Sequence, residues 1–74
     1  MITDYRTTDI VLAAYLKLNN CVLANIEKQN QQGTFVFVSV SIYYIKQYQL
    51  GNAIVEPKMF NNMIKQLSNS VRVI

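Results

Sequence analysis

The stretch that most constrains this chain is Gly33-Thr34-Phe35-Val36-Phe37-Val38-Ser39-Val40-Ser41-Ile42-Tyr43-Tyr44-Ile45, where apolar residues crowd together without a charge. Any fold must bury much of it, and its periodicity divides it. Phe35 and Phe37 alternate with Val36 and Val38, the spacing of a strand whose two faces differ. From Ser39 or Ser41 onward the period lengthens. Ile42 with Ile45 and Tyr44 with Tyr48 are helical pairs, either serine supplies an N-cap oxygen, and Gly51 is placed to stop the helix after Leu50. The run predicts a strand over Thr34 to about Val38, then a helix.

The rest of the chain is organised around that pair. Met1 to Arg6 reads as an N-terminal arm, with Tyr5 as its anchor. Thr7 or Thr8 suits an N-cap, with Asp9 adding negative charge at the positive end of the helix dipole, and a helix is predicted from about Thr8 to Leu18. Its apolar face, built on Leu12 and Leu16, is too wide to stay solvated, and Asn19-Asn20 ends it in a left-handed conformation. Cys21 to Lys28 changes to a period of two, with Val22, Ala24 and Ile26 on one face, and predicts a strand. Gln29 to Gly33 is a polar hairpin loop with Gly33 expected at positive φ. Pro57 fits the first turn of a last helix, along which Phe60, Met63, Ile64 and Leu67 form one apolar side, fraying by Ser68-Asn69-Ser70. Residues 69–74 are then an apolar tail.

The expected architecture is a single α+β domain, 1–74, in the order helix, β-hairpin, helix, helix, with the helices packed on a two-stranded antiparallel sheet. Two strands alone are unstable, so dimerisation or a second hairpin would extend the sheet. At 74 residues the core is only marginally sufficient, and the single cysteine, Cys21, excludes an intramolecular disulfide. The absence of histidine leaves no plausible zinc ligand set and removes the commonest general base. The four carboxylates, Asp4, Asp9, Glu27 and Glu56, are scattered. No catalytic, cofactor or metal residues are therefore assigned, and a non-enzymatic protein is expected. No apolar run approaches the ~20 residues that span a bilayer, so a cytoplasmic location without membrane association is expected, in keeping with the lone thiol.

Asp4-Tyr5-Arg6-Thr7-Thr8-Asp9 followed by Leu12-Ala13-Ala14-Tyr15-Leu16, then Gly33-Thr34-Phe35-Val36-Phe37, Gly51, Val55-Glu56-Pro57 and Phe60, resembles a family of very small domains of unassigned function carried by bacteriophages and other bacterial mobile elements. The resemblance covers most of the chain and implies a phage-type accessory protein. It carries over no site residues. Val38-Ser39-Val40-Ser41 stands where such proteins usually turn acidic, and the loop Gln29 to Gln32 is less charged than theirs.

Two functions remain. The first is binding of a protein of the host or element, as a homodimer, inhibiting or modulating a host defence or gene-expression system. Phe35, Phe37, Tyr43, Tyr44 and Tyr48 are its candidate contacts. Its motive is the apolar content of so short a chain, with an exterior rich in Asn and Gln rather than charge. The second is nucleic-acid binding through Lys46, Lys58, Lys65 and Arg72, drawing on a net charge of +3 that is spread in single residues. Gly33 to Val38 partly resembles the strand on which RNA-recognition domains stack bases, though Gln32 replaces the basic residue. The competing reading buries both phenylalanines under a helix, and likewise buries the tyrosine rings with their hydroxyls at the rim.

Overall fold

The computed structural model describes residues 2–30 and 32–73. Its elements run β1 (Ile2–Thr7), α1 (Ile10–Leu18), β2 (Val22–Gln29), β3 (Gln32–Ser41), α2 (Ile42–Gln49) and α3 (Pro57–Arg72). The α+β class stands, but the sheet has three strands in the order β1-β3-β2, both neighbours antiparallel to β3. Positions 2–6 of the expected N-terminal arm thus belong to an edge strand, and position 1 lies outside the described residues. β1 pairs Tyr5 with Phe37 and Thr7 with Phe35, and so adds a third strand to the expected hairpin.

Helices cover one face of this sheet. Phe35, Phe37 and Val40 of β3 are buried in one core with Leu12 to Leu16 of α1, Ile45 of α2 and Leu67 of α3, while Gly33, also buried, faces Val71 of α3. No helix among the described residues is long and apolar enough to cross a membrane.

Two β-bulges account for the breaks in alternation. Between Phe37 and Val40, β3 spends one residue more than β1 does between Tyr5 and Thr3, and Ser39 takes up the excess at φ 57°. Its amide donates to Asp4 Oδ1 at 3.3 Å. The bulge puts Val40, rather than Ser39, into the core, and lets the strand continue to Ser41 instead of ending near Val38. On the other side, Leu23 faces Phe37 and Asn25 faces Val36, so Ala24 is the extra residue in β2. Val22 and Ala24 accordingly point to solvent while Leu23 and Ile26 turn inward, which overturns the single Val22-Ala24-Ile26 face.

The helix ends follow local chemistry. Asp9, not Thr7 or Thr8, caps α1: its Oδ1 accepts from the amides of Val11 at 2.9 Å and Leu12 at 3.3 Å, while Thr7 Oγ1 accepts from the Asp9 amide at 3.0 Å. Asn20 stops α1 at φ 64° and Gly51 stops α2 at φ 77°. Both allow paired reverse hydrogen bonds, from Cys21 and Asn20 to Leu16 and Lys17, and from Asn52 and Gly51 to Gln47 and Tyr48. Ser41 Oγ accepts from the Tyr43 amide at 3.3 Å, which makes it the cap of α2. The hairpin turns at Asn30, at φ 51°, and Gly33 lies within β3 without a positive φ. The part of the expected loop at position 31 lies outside the described residues.

The last helix does not fray at Ser68. It continues to Arg72, so the expected tail is its final turn, and Val71 extends the Phe60-Met63-Ile64-Leu67 stripe onto β3. The end of that tail, position 74, lies outside the described residues.

Candidate functional site

The aromatic residues expected to meet a partner divide into structural and exposed. Phe35 and Phe37 are buried, 2% and 0% accessible, which removes them from any contact surface and ends the base-stacking reading of β3. Their positions on the helix-covered face follow from pairing with Ile26, Leu23, Thr7 and Tyr5.

Tyr44 and Tyr48 are half-buried around Tyr15 of α1. Tyr44 meets the Tyr15 ring edge-on at 6.2 Å, and Tyr48 lies tilted over it at the same centroid distance. The Tyr48 hydroxyl donates to Asp9 Oδ2 at 2.7 Å, so one carboxylate both caps α1 and ties α2 to it. Burial first, then this hydrogen bond and the Asp9 charge, push the Tyr48 pKa up to about 12. Burial raises the Tyr15 and Cys21 pKa values as well. Tyr43 alone of the candidates stands out to solvent, at 61% exposure.

The sheet's other face is strapped rather than bare. Arg6 lies opposite Val36 and Glu27 opposite Thr34, on strands flanking β3, and the two form an ion pair that passes over the central strand. The long arginine stem shelters apolar surface in this way, and Val36 and Val38 are half-buried.

Exposed apolar surface concentrates elsewhere. Among the described residues the large exposed hydrophobics are Val11, Val22, Tyr43, Leu50, Ile54, Met59 and Val73, and four of these seven fall between Tyr43 and Met59. Tyr43, in the first turn of α2, and Leu50, its C-cap, are seven residues apart. Leu50 is 70% exposed, and Ile54, in the connection to α3, is 89% exposed.

The cations are sorted by the fold too. Lys58, Lys65 and Arg72 are all exposed and recur every seven residues on α3, each step advancing ~10.5 Å along one side of the helix. Asn61, Asn62, Gln66 and Asn69 lie exposed between them, and α3 contains no acidic residue. Lys46 stands apart on α2, between Tyr43 and Leu50.

Sequence reading missed Lys28. It lies at the end of β2 and, with Arg72, lines a cleft of about 610 Å³ where the hairpin, the start of α1 and the end of α3 converge. No signal in the sequence joins the two residues, because only tertiary packing of α3 brings them to one opening.

The four carboxylates have structural partners. Asp4 accepts from the Ser39 amide, Asp9 caps α1, Glu27 pairs with Arg6, and Glu56 caps α3 by accepting from the Met59 amide at 2.6 Å. No group of metal-ligating side chains is assembled among the described residues. No family model, no curated protein and no solved structure matches this chain.

Proposed function

We propose that this protein is a non-catalytic binding module that works by protein–protein contact, through the apolar edge formed by α2 and the connection that follows it. The observation that carries this reading is the concentration of exposed Tyr43, Leu50 and Ile54 in one short segment. Apolar residues grouped in one segment suit insertion into a groove of a partner, whereas singly scattered ones require no explanation. The structural duties of all four carboxylates support a role without acid–base chemistry.

The accessory role in a bacteriophage or mobile element, acting in the cytoplasm of a host cell on a defence or gene-expression system, rests on the resemblance of the segments beginning at Asp4 and Gly33. The first occupant of the edge is a second copy of this chain, giving a homodimer. Light scattering of the wild type against a Leu50→Asp, Ile54→Asp variant tests this. The expected result is a dimer that the double substitution converts to a monomer with an unchanged unfolding midpoint. A wild type that is monomeric throughout, and that retains no protein from host extract, overturns the reading.

A second reading, nucleic-acid binding, is favoured by the acid-free α3 stripe of Lys58, Lys65 and Arg72 interleaved with amides. It expects affinity for DNA or RNA that falls steeply with salt, and a shallower salt dependence in a Lys58→Gln, Lys65→Gln variant. Absence of binding to duplex or single strands by fluorescence anisotropy at low salt rules it out.

A further inference from the structure

The cleft between the hairpin and the two helix ends has the composition of a ligand site. It is lined by Lys28 and Arg72, and by the hydroxyl-bearing Thr8 and Ser68. Ile10 and Val71, both half-buried, supply its apolar surface. No carboxylate of the described residues lines the cleft. Of the two acids adjacent in sequence to its lining, Asp9 uses both oxygens on the α1 amides and the Tyr48 hydroxyl, and Glu27 pairs with Arg6. Lys28 has no hydrogen-bond or ion-pair partner among the described residues, and Arg72 has only the neutral Asn69 side chain, accepting at 2.7 Å. Two cations, two hydroxyl-bearing residues and an apolar wall in a volume of this size match a small, doubly charged anion with a compact ring attached.

We propose that this cleft binds a phosphomonoester carrying an aromatic group, its phosphate held between Lys28 and Arg72 and its ring set on Ile10 and Val71. A phosphomonoester carries nearly two negative charges at neutral pH and several acceptor oxygens, enough for both cations and a hydroxyl. The free amide of Gln32 extends the polar rim on the hairpin side. This site is separate from the apolar edge of α2, so either can fail without the other.

Phenyl phosphate, titrated into the intact protein and followed by amide chemical shifts, is the test. Saturable shifts are expected at Gly33, Phe35, Ser68 and Val71, with inorganic phosphate binding about tenfold more weakly because it leaves the apolar wall unused. Lys28→Gln and Arg72→Gln should each weaken phenyl phosphate by about tenfold while leaving the rest of the spectrum in place, since both side chains are exposed. A 5′-phosphorylated oligonucleotide supplies the same chemistry from another source. Tighter binding of it at the same amides identifies a strand end as the natural ligand, and weaker binding identifies a free small molecule. The proposal is overturned if no shift saturates, if inorganic phosphate equals phenyl phosphate, if the shifts centre on Lys58 and Lys65, or if neither substitution weakens binding.

Discussion

Gly33→Ala is the substitution that most directly probes how the last helix is seated. A methyl group at Gly33 would lie 2.6 Å from Val71 Cγ2, 3.0 Å from Cγ1 and 3.4 Å from Cβ. Carbon atoms pack at about 3.5–4.0 Å, so the overlap approaches an ångström. Rotating the valine offers no escape, because a β-branched side chain in a helix is held near one rotamer and both of its methyls crowd the same point. The final turn of α3 must therefore lift. Forcing one extra methyl into a packed contact costs about 1–3 kcal/mol, and replacing a strand glycine returns about 0.5–1 kcal/mol through the unfolded state. The net loss is about 1–2 kcal/mol, or roughly 5–15 °C in Tm for a domain of this size. Thermal and urea unfolding measure it. Pairing the change with Val71→Ala, which removes both clashing methyls, should leave the double variant more stable than the sum of the singles by about 1 kcal/mol. An unchanged or raised Tm for Gly33→Ala, or strict additivity in the cycle, would refute the seating of Val71 on Gly33.

The remaining predictions concern charge and backbone. Tyr48 has its folded pKa raised from 10.0 to about 12, so its contribution is complete below the unfolded value and disappears as pH rises through that interval. Urea midpoints should therefore fall across this alkaline window, and fall less in Tyr48→Phe, with the residual loss belonging to Tyr15 and Cys21, whose pKa values burial also raises. An identical alkaline profile in the variant would contradict the Tyr48–Asp9 bond. Ser39 occupies the left-handed region without the freedom of glycine, so Ser39→Gly should stabilise by about 0.5–1 kcal/mol in the same unfolding assay. A destabilised variant would mean that the serine side chain contributes to the bulge.

Helices and their ends were the most legible part of the fold because their determinants are local. The Phe60-Met63-Ile64-Leu67 stripe, Pro57 at its start, and the left-handed stops at Asn20 and Gly51 all lie within a turn or two of what they control. Strand identity was harder to read. β1 is a strand only because its backbone bonds to Phe35, Phe37 and their neighbours far along the chain, and its own sequence, with Tyr5 as its one inward aromatic, carries little pattern. Bulges at Ala24 and Ser39 shift the inward phase by one residue, which no reading of strict alternation can anticipate.

The candidate surfaces divide along the same line. Composition and periodicity alone determined that this is an α+β chain without an imidazole for thiol–imidazole chemistry, with an amphipathic last helix whose lysines fall on its polar side. Tertiary structure decided that the phenylalanines are core, that Tyr43 is exposed while Tyr44 and Tyr48 are half-buried, and that Lys28 and Arg72 line one cleft. The reason is physical. Periodicity records which side of an element is apolar, but burial depends on which element arrives to cover it, and here one sheet face received all the helices while an ion pair strapped the other.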